Sequence, residues 1–239
     1  AVNSGTIYAD ASANASKSGT GVGEAGALGI GVFGPDDPTI TNSGTIDVSA
    51  VADAAMIAFA SATGILYAAE ASGSIVNSGT IIADATVIGG ATYTTTTNYT
   101  VSSVPFTNTY THLDDEAYAA GIRVDAGSIS THVTNSGVID VSAVNDQLGV
   151  AEAIGIDLGA QGIAVDALAV PLAASSIDGV VDNSGTISAA ASGGEDAIAV
   201  GIRLRANEIV GIVSNSGLID VVAHGTDTAG EGTGTAHAT

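Results

Sequence analysis

The tripeptide Asn-Ser-Gly occurs six times, beginning at Asn3, Asn42, Asn77, Asn135, Asn183 and Asn215, at intervals of 39, 35, 58, 48 and 32 residues. A fixed phrase at uneven spacing marks structural units of one kind joined by connections of different length, the pattern of a stacked-repeat protein. After each copy the chain alternates with period 2, as in Ile46, Val48, Ala50, then Ile81, Ala83, Ala85, then Ile139, Val141, Ala143. Alternation of this kind, opened by a glycine corner and free of helical spacing, predicts a strand with one buried face.

Two further phrases complete the repeat. AGALGIGV at 25–32, ASATGILY at 60–67, AYAAGIRV at 117–124, AEAIGIDL at 151–158 and AIAVGIRL at 197–204 share a Gly-Ile centre. TITNSG, SIVNSG, HVTNSG, VVDNSG and IVSNSG place Ile or Val two residues before the Asn. Each unit therefore offers three short strands, and the chain reads as an all-β solenoid of about six three-strand coils stacked in parallel. Asn tolerates turn geometry and its amide both donates and accepts, so the six asparagines are expected to form a structural ladder along the stack. If Ile30, Ile65, Ile122, Ile156 and Ile202 point inward, strict alternation turns Ala25, Ala60, Ala117, Ala151 and Ala197 outward. The expectation is then a flat outer wall of Ala, Ala and Gly, covered by a loop or by another copy.

Composition agrees with sheets and limits the partners. Glycine is abundant at 32 residues, charged residues are 12%, and there is neither Cys nor Trp. Against 25 acidic residues stand only Lys17, Arg123, Arg203 and Arg205, for a formal net charge of −21. Such a surface repels phosphate backbones and anionic lipid, which argues against nucleic-acid and membrane-surface binding. Absence of Cys removes disulfides and thiolate metal sites, and is compatible with export. No run of about 18 apolar residues and no basic-then-apolar start is present, so no direct membrane insertion is expected of this segment. The start, Ala1-Val2-Asn3, falls inside a repeat and suggests a processed or truncated product.

Insertions near 87–115 and 159–178 interrupt an otherwise single solenoid over 1–239. The first is rich in Thr and carries Tyr93, Tyr99, Phe106 and Tyr110. Loops leaving a rigid scaffold are where recognition sits, so these aromatics are the candidate partner-contact loop; the same segment also reads as a β-hairpin. The second, GAQGIAVDALAVPLAASSID, is apolar and reads as an imperfect extra strand, with a covering helix as the alternative.

Catalytic constellations are sparse. His112, His132, His224 and His237 are scattered, and no HExxH, GxSxG or P-loop pattern occurs. Carboxylates cluster at Asp36-Asp37 and at Asp114-Asp115-Glu116. The latter trio suits weak calcium binding, the one cofactor entertained, although neither an EF-hand nor a GGxGxD roll is present. It also provides the acid and base of an alternative function, a carbohydrate-active β-helix enzyme. The leading expectation is not an enzyme.

The repeated NSGTI, preceded by Val or Ile and interleaved with AxGIxV, is similar to the passenger repeats of type V autotransporters and related bacterial surface β-helix proteins. The resemblance spans nearly the whole chain. It implies a right-handed parallel β-helix, secretion to the surface of a Gram-negative bacterium, and a structural or adhesive role in adhesion, aggregation, biofilm or filament formation. Partners expected on this basis are other copies of the chain, packed end to end or laterally, or host and surface ligands. No C-terminal membrane β-barrel pattern follows the repeats, a departure from the complete family arrangement.

Overall fold

A computed structural model describes residues 1–15, 21–33, 37–54, 57–68, 72–89, 93–101, 104–112, 115–146, 149–159, 174–194, 196–225 and 235–238, with backbone alone for 93–101, 104–112, 174–175 and 235–238. Six turns of chain stack into a parallel β-solenoid with three long walls. Wall A contains the strands that end in the repeated Asn: Val2–Asn3, Thr39–Asn42, Ser74–Asn77, His132–Asn135, Val180–Asn183 and Ile212–Asn215. Wall B follows the Asn-Ser-Gly corner: Thr6–Asn14, Thr45–Ala54, Thr80–Gly89, Val138–Asn145, Thr186–Gly193 and Leu218–Gly225. Wall C holds Val22–Phe33, Ile57–Ala68, Asp115–Asp125, Gly149–Leu158, Asp196–Leu204 and Thr235–Ala238. Within each wall every strand pairs in parallel with its counterpart in the next coil, and repeat positions meet repeat positions: Asn42 on Asn77, Ile46 on Ile81, Ile122 on Ile156.

Alternation accounts for the core. Along wall B, Ile46, Val48, Ala50, Ala52 and Ala54 are buried while the residues between them are partly exposed. Ile40, Ile75, Val133 and Val181 enter the same core from wall A. In the first and last coils the equivalent residues, Ile7, Ala9 and Ala11 or Ile219, Val221 and Ala223, are only partly buried, because each has a neighbouring coil on one side.

A fourth, short sheet recurs beside walls C and A in coils 4 to 6, formed by Ser128–Ile129, Ala174–Ile177 and Ala206–Ile209. The three-strand reading of the coil overlooked it, since these pieces are only two to four residues long and lack a shared phrase. The body of the second insertion, residues 160–173, where an extra strand or a covering helix is expected, lies outside the described residues; Ala174–Ile177 at its end belongs to the fourth sheet. In the first insertion Tyr93–Val101 and Val104–His112 pair antiparallel, so the hairpin reading of that segment describes its backbone.

Candidate functional site on the outer face of wall C

The asparagine ladder is continuous. Each side-chain Nδ2 donates to the Oδ1 of the next coil: Asn3 to Asn42 at 2.8 Å, Asn42 to Asn77 at 2.8 Å, Asn77 to Asn135 at 2.8 Å, Asn135 to Asn183 at 2.8 Å and Asn183 to Asn215 at 2.7 Å. In the first five coils these amides are buried, and four of them also donate to the backbone carbonyl three residues past the next Asn, as Asn42 does to Thr80 at 3.3 Å. The next element of the corner is a column of glycines in close approach. A Cβ on Gly44, Gly79, Gly137, Gly185 or Gly217 would overlap the carbonyl oxygen of the corner glycine one coil earlier.

Wall C corrects the expected alanine face. Ala60, Ala62, Ala117, Ala119, Ala151, Ala153, Ala197 and Ala199 are buried in the central core, not displayed outside. The following Ile65, Ile122 and Ile156 are in the same core, so inward positions change parity within the strand. The reversal occurs at the glycine column. Gly121 has Ile139 of wall B where a side chain would begin, and the Gly155 carbonyl 2.7 Å away. Glycine lets the wall bend there, so that two inward residues follow one another and strict alternation fails.

With the parity corrected, the outer face of wall C carries a cluster of polar and charged side chains. Tyr118, Ala120, Ile154 and Val200 form a second apolar cluster on this side, separate from the central core. Beside it lie Arg123, Asp157 and Arg203, which stand in one column of neighbouring coils. Asp157 has no exposed surface. Arg203 grips it with two parallel bonds, Nε to Oδ1 at 2.9 Å and Nη2 to Oδ2 at 2.7 Å, and also reaches Glu152. Arg205 at 3.4 Å and the Tyr118 hydroxyl at 3.3 Å donate to the same Asp157 oxygen. Arg123 makes its own bidentate pair with Asp125, at 2.9 and 2.8 Å, and lies 5.3 Å from the centre of the Tyr118 ring. Such forks match guanidinium to carboxylate geometry and offset the desolvation of buried charge.

Burial and the neighbouring Asp157 push the Tyr118 hydroxyl far above the usual phenol range, so it is a permanent donor. For Arg203, burial opposes the cation, but the hydrogen-bonded Asp157 and nearby Glu152 outweigh it and hold the guanidinium charged.

Next to this network, across coils 1 to 3, is a cavity of about 210 Å3. Leu28, Phe59, Leu66 and Tyr118 give it apolar walls, and Glu24, Glu116, Ser61 and Thr63 supply polar groups. Burial first, and the nearby Glu152 second, push the Glu116 carboxyl up to about 7, with Arg123 working in the opposite direction. The cleft therefore changes charge near neutrality.

The other expected site residues are distributed as follows. Asp115 and Glu116 are on opposite faces of wall C: Asp115 is buried and accepts the Ala58 backbone N–H at 2.7 Å, while Glu116 lines the cleft. Asp114 lies outside the described residues, and among the described residues no three carboxylates or imidazoles come together as a metal site. Tyr99 pairs directly with Phe106, and Tyr93 and Tyr110 share the same parity of the hairpin ladder. The arginine–carboxylate network was not singled out in the sequence, although a signal existed: the variable position of the Gly-Ile phrase reads Arg123, Asp157 and Arg203 in successive coils.

Comparison with protein-family models, with curated proteins and with solved structures gave no match.

Proposed function

We propose that this chain is a structural or adhesive β-solenoid displayed outside the cell, a surface adhesin or a subunit of a matrix or filament. The observation that carries this reading is the uninterrupted ladder of six asparagines over a continuous apolar interior. A stack of this kind is a stiff spacer that holds its outer surfaces at fixed separations, which is what adhesion and scaffolding require. The negative surface and the lack of Cys suit an exported protein in a saline, oxidising medium. The resemblance of NSGTI and AxGIxV to autotransporter passengers supports a Gram-negative cell surface as the location.

Two places on the rod offer contacts to a surface ligand: the aromatic hairpin with Tyr93, Tyr99, Phe106 and Tyr110, and the apolar cleft bounded by Glu24 and Glu116. The competing enzymatic reading, acid and base work by Asp114, Asp115 or Glu116, is weakened by the commitment of the Asp115 carboxylate to the Ala58 backbone. A display experiment tests the reading. Cells carrying residues 1–239 on their surface are expected to adhere to each other or to a solid support several-fold more than cells carrying an unrelated domain. Equal adhesion, together with cleavage of an acidic polysaccharide by the purified chain, would replace adhesion with catalysis.

A further inference from the structure

The cavity in the flank of wall C owes its existence to two small residues. Outward positions of the first three coils stand there in three rows along the stack: Glu24, Phe59 and Glu116; Gly26, Ser61 and Tyr118; Leu28, Thr63 and Ala120. In coils 3 to 5 this face is filled by the apolar cluster of Tyr118, Ala120, Ile154 and Val200. In coils 1 and 2 the middle row shrinks to Gly26 and Ser61, and the cavity lies over them. Gly26 is not demanded by the fold. The glycines at 29, 64, 121, 155 and 201 of the same wall are each pressed by an isoleucine of wall B, whereas a Cβ on Gly26 would meet nothing within 4 Å. Nor is Gly26 among the described glycines with a left-handed backbone. Its missing side chain leaves room that packing does not use.

Polar groups facing that room are also unused. Thr63 lines the cavity and is only 6% exposed, yet its hydroxyl has no hydrogen-bond partner among the described residues. Glu24 and Glu116 flank Phe59 in their row, two coil spacings or about 10 Å apart. Neither carboxylate takes part in a hydrogen bond or an ion pair among the described residues. The charged neighbours of Glu116 do not neutralise it. Arg123 is held bidentately by Asp125, Glu152 is a like charge bound by Arg203, and the Tyr118 hydroxyl donates to Asp157.

We infer that this cavity binds a small arylalkyl amine, its ammonium next to Phe59 between Glu24 and Glu116, and its ring on Gly26 and Ser61 against Tyr118 and Leu28. This deepens the adhesive reading, on which it rests, by naming the ligand class of one of the two contact places on the rod. An ammonium neutralises both carboxylates at once, and the same carboxylates repel an anionic ligand. Apolar walls with a few convergent polar groups suit a small organic molecule. Thr63 is four residues past Phe59, about 13 Å along the strand, so its hydroxyl meets a polar substituent at the far end of the ligand. The ammonium keeps its proton to about pH 10, so binding strengthens as pH rises through 7 and Glu116 ionises.

Calorimetric titration of the 239-residue chain with tyramine, phenethylamine, phenethyl alcohol and phenylpropionate tests the inference. At pH 8 both amines are expected to bind one per chain, about tenfold or more tighter than the alcohol, and phenylpropionate not at all. Glu116→Gln is expected to weaken the amines about tenfold and to remove the pH dependence. Gly26→Leu, whose side chain enters open space, is expected to abolish binding with an unchanged melting temperature. Thr63→Val is expected to remove the several-fold advantage of tyramine over phenethylamine. Amines that bind no better than phenethyl alcohol, or that bind Gly26→Leu as tightly as the parent chain, overturn the inference. Failure here with adhesion intact in the display experiment strikes the amine alone, whereas loss of adhesion with amine binding intact strikes the adhesive reading.

Discussion

At the scale of the residue, the molecule depends on side chains whose value comes from position in a column. Asn77 accepts from Asn42 and donates to Asn135, both buried. Asn77→Ala would strand a donor above and an acceptor below, and each unsatisfied buried group costs about 1–3 kcal/mol. A loss of about 2–5 kcal/mol is therefore expected on chemical denaturation, against about half that for Asn215→Ala, which leaves one buried group, the Asn183 Nδ2, without its acceptor. Similar losses for both variants would mean that the ladder contributes nothing beyond two ordinary side chains. These asparagines were legible in the sequence because their phrase repeats without variation. The arginines and Asp157 were not, because their columns alternate in sign and a search for recurring identity passes over complementary change.

Elements show where simple alternation stops being a guide. Walls A and B keep period 2 from end to end, and their inward residues follow from the sequence directly. Wall C does not, since a glycine at its centre lets the strand turn and place both the alanines before it and the isoleucine after it inside. Only the packing against Ile46, Ile81, Ile139 and Ile187 of wall B reveals that requirement. One consequence is a pH dependence from Glu116 on the opposite face. Its folded pKa of about 7 is above the ordinary 4.5, so between those values the native state holds a proton that the unfolded chain has released. Stability contributed by this group is present at acid pH and falls as pH rises through 7. Glu116→Gln is expected to flatten that slope and to stabilise the protein by about 1–2 kcal/mol at pH 8, allowing for partial solvent screening. Melting curves collected from pH 5 to 8 decide it: parallel profiles for the two proteins would place the titration elsewhere.

For the whole molecule, the governing fact is that connections vary while the stack does not. Walls B and C are joined across two residues in coil 2, between Ala54 and Ile57, but across the entire hairpin in coil 3, between Gly89 and Asp115. The register of the neighbouring strands is the same in both. Shortening coil 3 by removing 90–114 and inserting a brief turn is thus expected to preserve a cooperative melt with the midpoint within about 5 °C. A featureless transition, or loss of the β signature in circular dichroism, would show that the hairpin helps to hold the coils together. That indifference of the stack to what hangs from it separates two tasks that most folds must solve with the same residues. The interior decides how long the object is and the excursions decide what it touches, so foreign segments grafted between Gly89 and Asp115 would find a host already tolerant of cargo.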